Sequence, residues 1–230
     1  MSAELLLHQE VLLLALNDKK GTFSHGMFLY SVTGAMVSEL LLQGKIVHAD
    51  GKEGEVTVVD ADPTGDELLD ELLLKIGASN KPRGLSHWVS KAAQIKDLPH
   101  RVAHQLSEKG VVTEDKKKVL WVFTKRVYPE LDGTFEDAIR QRMADIMFDE
   151  SAVPDGRTAV LIALARHATL LKTNFPSVEL EQHKDRINAL ANGNVLASDA
   201  TKETIKAVQA AIIVATVVPA LVATTVSTNH

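Results

Sequence analysis

Cysteine is absent from the 230-residue chain. That excludes a disulfide framework, a zinc–thiolate centre and a thiol nucleophile, and is compatible with a reducing compartment. Aromatic residues make up only 4% while apolar residues make up 45%, so a core must be assembled from Leu, Val, Ala and Ile, which favours helices. No excess of positive charge exists: the formal net charge is -5, against general nucleic-acid binding through bulk electrostatics. The start, Met1-Ser-Ala-Glu4, has no basic flank, and the apolar run from Leu5 to Leu16 is interrupted by His8, Gln9 and Glu10, so it is expected to be a core helix rather than a signal peptide. There is no His-Glu-x-x-His pair, nucleophile elbow or phosphate loop. No fixed-period repeat or low-complexity linker divides the chain, which is expected to form a single domain over residues 1–230.

What is present is helical periodicity. Apolar spacing predicts helices over Leu5–Asn17, Met27–Gln43, Thr64–Ile76, Ser86–Ala93, Leu98–Lys109, Phe135–Phe148, Arg157–Leu171, Leu180–Asn192 and Thr201 to about Val218. Glycines close several of them, and prolines fall in connections or first turns. The first two helices are apolar on more than one face and are expected at the centre, with amphipathic segments wrapped around them. Two short hairpins are expected, Ile46–Ala49 with Val56–Asp60, and Val111–Thr113 with Val119–Phe123. The run Ala207–Val226 approaches the length of a membrane span, but Gln209, Pro219 and several threonines favour a buried terminal helix.

Two segments could carry chemistry. In Glu114–Arg126, five consecutive apolar residues that include Leu120, Trp121 and Phe123 are flanked by lysines on one side and by Lys125 and Arg126 on the other. This suits an anionic membrane interface, where rings enter the headgroup layer and cations meet phosphates. The alternative is a strand packed on the bundle. His100 and His104, four apart on one predicted helix, could share a metal with His87 or Asp97, although helical histidine pairs at this spacing are common without one.

The segment Asp60-Ala-Asp-Pro-Thr-Gly-Asp-Glu-Leu-Leu-Asp-Glu-Leu-Leu74 begins a helix, with Thr64 expected as N-cap, Asp66 and Glu67 over the positive end of the dipole, and Leu68, Leu69, Leu72 and Leu73 on one face. Its wording resembles the Golgi phosphoprotein 3 family. Glu10–Gly21, Glu39–Lys45, Arg101–Thr113 and Arg157–Ala168 are similar to further family segments in the same order, so the resemblance covers about Leu5 to Val214.

The resemblance implies a mainly α fold: a central helical bundle wrapped by amphipathic helices, with one or two short β-hairpins, one of them a projecting membrane-contacting hairpin. It also implies phosphatidylinositol 4-phosphate recognition, which eukaryotic members achieve with a tryptophan and several arginines. Position by position, one family arginine falls on Thr33, the tryptophan falls between Ser24 and Gly26 where no aromatic stands, another arginine falls on Lys96, and the next on Pro99. A lysine offers only a point charge where an arginine offers a fork. The candidate headgroup residues are therefore Lys96, His100, Arg101 and Thr33, with Lys91 and His104 nearby. The hairpin candidates are Leu120, Trp121, Phe123, Lys125 and Arg126. The arginine-rich extension through which eukaryotic relatives engage coatomer has no counterpart before Leu5, so that role is not carried over, and the short chain looks like a prokaryotic-type relative. The expectation is a non-catalytic protein without cofactor, cytoplasmic and peripheral to a membrane, whose partner is an anionic lipid. The rival is a helical interaction module that self-associates into a homo-oligomer through the hairpin.

Overall fold

A computed structural model describes residues 4–17, 20–23, 28–48, 55–119, 123–195 and 205. In chain order the elements are α1 (Leu7–Ala15), α2 (Phe28–Leu42), β1 (Ile46–His48), β2 (Glu55–Val58), α3 (Glu67–Gly77), β3 (Arg83–Gly84), α4 (Leu85–Ala92), α5 (Leu98–Glu108), β4 (Asp115–Val119), β5 (Phe123–Val127), α6 (Thr134–Phe148), α7 (Gly156–His167), α8 (Leu170–Asn174), α9 (Ser177–Gln182) and α10 (Lys184–Ala191). The fold is mainly α, with one three-stranded antiparallel sheet ordered β1-β2-β3 and one two-stranded ribbon, β4-β5. The expected C-terminal helix lies outside the described residues apart from Ile205, which is buried.

Every residue of α1 is buried, and α2 is buried from Ser31 to Leu40. Their apolar character on all sides follows from this position, with α7, buried from Thr158 to Ala165, packed against both. Outer helices bury one stripe each: Leu68, Leu69, Leu72, Leu73 and Ile76 on α3, and Ile139, Met143 and Met147 on α6. Burying a Leu of this kind contributes roughly 1.5–3 kcal/mol, so the α3 stripe alone is a substantial share of the core.

The acidic signature at the head of α3 is a structural lock. Asp66, not Thr64, is the N-cap, its Oδ1 accepting from the Leu68 and Leu69 amides at 3.0 and 2.9 Å. Gly65, at φ +86°, turns the chain so that the helix cap falls two residues after Thr64. Thr64 instead donates its hydroxyl and its amide to Asp70 Oδ1, both at 2.7 Å. The other Asp66 oxygen accepts from Gln105 Nε2 at 2.9 Å and lies 3.6 Å from His8 Nε2. Gln9 donates to Gln105 Oε1 at 3.1 Å and accepts from Lys109 Nζ at 2.8 Å. Burial alone would push the Asp66 carboxyl up, but His8 and the two capping amides outweigh it and hold it below its ordinary value. A second buried carboxylate, Glu39, accepts from Arg157 Nη1 at 3.0 Å on each oxygen and from the Leu7 amide at 2.8 Å.

Several expected boundaries move. Arg157–Leu171 is two helices because Thr169 adopts a left-handed φ of 62° between α7 and α8. Leu180–Asn192 is likewise divided at His183. The second hairpin shifts along the chain: Val111 and Val112 are buried outside the ribbon, Val112 bridging Glu130, while the lysine run forms β4 and pairs with β5. Lysines fit a two-stranded ribbon because its strands offer water on both faces, so Asp115–Val119 pairs with Phe123–Val127 and Val111–Thr113 does not join it.

Candidate functional site

Three of the side chains singled out from sequence, Asp97, His100 and Arg126, meet where α5 meets the base of the β4-β5 ribbon. Asp97 precedes α5 in a left-handed conformation, φ 54°, and its side chain does not cap the helix. Its carboxylate instead lies 3.8 Å from Arg126 Nη2 on β5. His100, in the first turn of α5, brings Nδ1 to 2.9 Å from the Tyr128 hydroxyl. The Phe23 ring lies 5.2 Å from His100 and 5.8 Å from Tyr128, and Phe28 stacks on Phe23 at 5.6 Å. Burial, followed by the neighbouring Arg126 charge, lowers the His100 pKa below 6.5. The aromatic wall holds close backbone contact as well: Tyr128 N–H donates to Gly21 O at 2.7 Å, and a Cβ on Gly21 would stand 2.3 Å from Pro129 N. Only a glycine at φ +59° fits there.

The four headgroup candidates separate. Lys96 is exposed beside the start of α5, and His100 is half-buried in the aromatic wall. Arg101 points its guanidinium to α3, Nη1 to Glu71 at 2.6 Å and Nη2 to Glu67 at 3.2 Å, so its charge is already compensated. Thr33 is fully buried in α2 and donates to Tyr30 O, so it does not join this surface. His104 Nδ1 lies 3.1 Å from Glu114, and no group of three or more metal-binding side chains occurs among the described residues. Sequence reading missed Phe23 and Tyr128, whose meeting with His100 depends on contacts 28 to 105 residues apart along the chain and leaves no local signal.

The ribbon carries the remaining charge. Its register places Lys116 opposite Arg126 and Lys117 opposite Lys125, and all four side chains are exposed. Directly opposed like charges destabilise an antiparallel pair by up to about 1 kcal/mol. Among the described residues, Asp97 forms an ion pair with Arg126 at the long distance given above. Leu120 and Trp121 lie outside the described residues, and Phe123 is described through its backbone alone. No helix among the described residues is long and apolar enough to cross a membrane.

The family model described as Golgi phosphoprotein 3 (GPP34) matches residues 7–208. Two relatives called vacuolar protein sorting-associated protein 74 are similar to the chain. The one from Eremothecium gossypii is 27% identical over 79% of this chain and 64% of its own length. The one from Schizosaccharomyces pombe is 29% identical over 62% of this chain and 48% of its own. The chain thus spans about half to two thirds of the relatives it matches.

Proposed function

The chain belongs to the Golgi phosphoprotein 3 family, and on that premise we propose that it is a non-catalytic peripheral protein that binds anionic lipid at the cytoplasmic face of a membrane. The observation that carries this reading is the cation ladder of the β4-β5 ribbon. Lys116 against Arg126 and Lys117 against Lys125 are mutually repulsive in isolation, and an anionic surface converts that repulsion into attraction. Each lysine or arginine near such a surface contributes about 1 kcal/mol, and the apolar run Leu120 to Phe123 supplies shallow insertion as the second signal that stable peripheral binding requires. Lys96 stands beside the ribbon base, next to Asp97, and extends the positive surface toward a headgroup, while the fold disfavours the charged form of His100 there.

The lipid recognised is an anionic headgroup of broad class. With Arg101 paired to two carboxylates and Thr33 buried, the residues that would give a stereospecific phosphoinositide pocket are not assembled in the family manner. A second copy is a poorer occupant of the ribbon, because two identical cation ladders repel. Co-sedimentation with vesicles tests the reading. Binding to phosphatidylserine and to phosphatidylinositol 4-phosphate vesicles, weakening steeply from low to physiological salt and lost on Trp121→Asp with Phe123→Asp, is expected. Equal binding to neutral vesicles, or none to any vesicle, overturns it. Salt-insensitive self-association through the ribbon would support the interaction-module alternative.

A further inference from the structure

Away from the ribbon, the outer side of α3 leaves an apolar groove unfilled among the described residues. One part, of about 420 Å³, is lined by Val58, Pro63, Leu73, Leu74, Gly77 and Ala78. It joins a second part of about 250 Å³ that includes Val56, Ile76, Pro82 and Trp88, since Val58 and Gly77 line both. Leu74 is 73% exposed on the rim, and Val59, next along from Val58, is 57% exposed. α3 is leucine-rich with a buried stripe, and a leucine left this bare beside Glu67, Asp70, Glu71 and Lys75 is out of keeping with that stripe. At the far end, Trp88 is 3% exposed and its buried indole N–H has no acceptor among the described residues.

The charges around this groove differ between its ends: exposed Asp62 stands between the lining residues Ala61 and Pro63 at one, and cations gather at the Trp88 end. Lys81 lines it, and at His87, one residue from Trp88, burial first and then the nearby Arg83 and Lys91 charges disfavour the protonated form. Lys81, Arg83 and Lys91 are exposed and none forms an ion pair with a described residue. The rim carboxylate of Asp70 is turned into the Thr64 hydroxyl and amide. Glu55, opposite Gly84 in the sheet, is the carboxylate nearest along the strands.

We propose that this groove docks an extended peptide segment of a partner protein, with an apolar centre seated against Leu74, Val58 and Gly77, and acidic residues meeting Lys81 and Arg83. The shape favours a peptide over a bilayer, because the apolar surface is concave and a bilayer is contacted by projecting side chains. The inference does not depend on the lipid reading, and its test contains no membrane in its first arm.

A random twelve-residue peptide library displayed on phage, panned on the full chain and depleted on Leu74→Asp, is expected to yield sequences with a short apolar core and an excess of Asp and Glu. Synthetic versions should change Trp88 fluorescence in a Trp121→Phe background, which leaves Trp88 as the only tryptophan. They should bind at least tenfold more weakly to Leu74→Asp, to Lys81→Glu with Arg83→Glu, and to Gly77→Leu. Gly77 has an ordinary backbone conformation and a Cβ there meets only Val58 at 3.8 Å, so that variant fills the groove without strain. Absence of enrichment, enrichment of basic sequences, or undiminished binding to the three variants overturns the proposal. So does a loss of vesicle binding by Leu74→Asp with peptide binding unchanged, which would make the face a membrane contact.

Discussion

Two parts of this molecule concentrate charge, and they do so in opposite ways. At the head of α3, Asp66 is 7% exposed, yet each of its oxygens has a partner, and the residues it meets come from α1, α3 and α5. On the β4-β5 ribbon, four exposed cations are arranged in like-charged pairs across the strands. The first arrangement is closed: buried polar groups that satisfy one another specify how three helices dock and leave little capacity for a ligand. The second is open, because its electrostatic energy improves only when something anionic arrives. The most recognisable motif in the chain therefore serves architecture, and the less distinctive lysine run carries the candidate function.

The sharpest way to break the comparison is Asp66→Ala. It removes the α3 cap and strands Gln105 and His8 in the interior, for a loss of about 3 kcal/mol or more, measured as the urea midpoint multiplied by an unchanged slope. Asp66→Asn, which keeps an acceptor for the cap, should lose less. Because the Asp66 carboxyl is held below its ordinary 3.8, its stabilising contribution is complete above that pH and is lost as pH falls through the lower folded value. Asp66→Asn should flatten that acid limb.

A change on the ribbon should act with opposite signs on stability and binding. Lys117→Glu converts the pair with Lys125 into an attraction, stabilising the ribbon by roughly 0.5 kcal/mol. The same change reverses one charge facing the membrane and should weaken anionic-vesicle binding by about 2 kcal/mol, roughly thirtyfold. Thermal unfolding and vesicle titration on one preparation would check both, and a fall in both would make the ribbon structural.

The smallest expected effect sits between the two regions, at His100. Its depressed pKa means that the fold favours the neutral ring: the stability it contributes is full above pH 6.5 and is lost as pH falls through the lower folded value. Protonation adds a charge beside the ribbon, so vesicle binding should rise by at most about fivefold at acid pH. His100→Gln should remove that part of the rise, read from titrations at pH 5.5 and 7.5 with neutral vesicles as the reference.

Much of this was legible before any coordinates. The α1, α2, α3 and α6 segments were readable because helical order leaves a periodic imprint on neighbouring residues. The exposure of Lys125 and Arg126 could be read as well, since five apolar residues between basic flanks have few ways to fold. The register of the ribbon could not, because Val111–Thr113 and Lys116–Lys118 are both plausible strands and the choice lies in whether the valines find a core elsewhere. They do, beside Glu130 and Leu131. The cap at Asp66 was missed by two residues for a more local reason, since Gly65 takes a positive φ that delays the helix.

What the chain determined by itself, then, is a cysteine-free, leucine-rich set of helices with a basic, apolar-tipped segment, because composition and periodicity act over a few residues. Tertiary structure alone decided that Arg101 is neutralised by Glu71 and Glu67 some 30 residues earlier, that Thr33 is sealed inside α2, and that Phe23, His100 and Tyr128 meet. Whether a charge is free or already paired depends on which distant residue packs against it, and that is a property of the fold and not of the neighbouring letters.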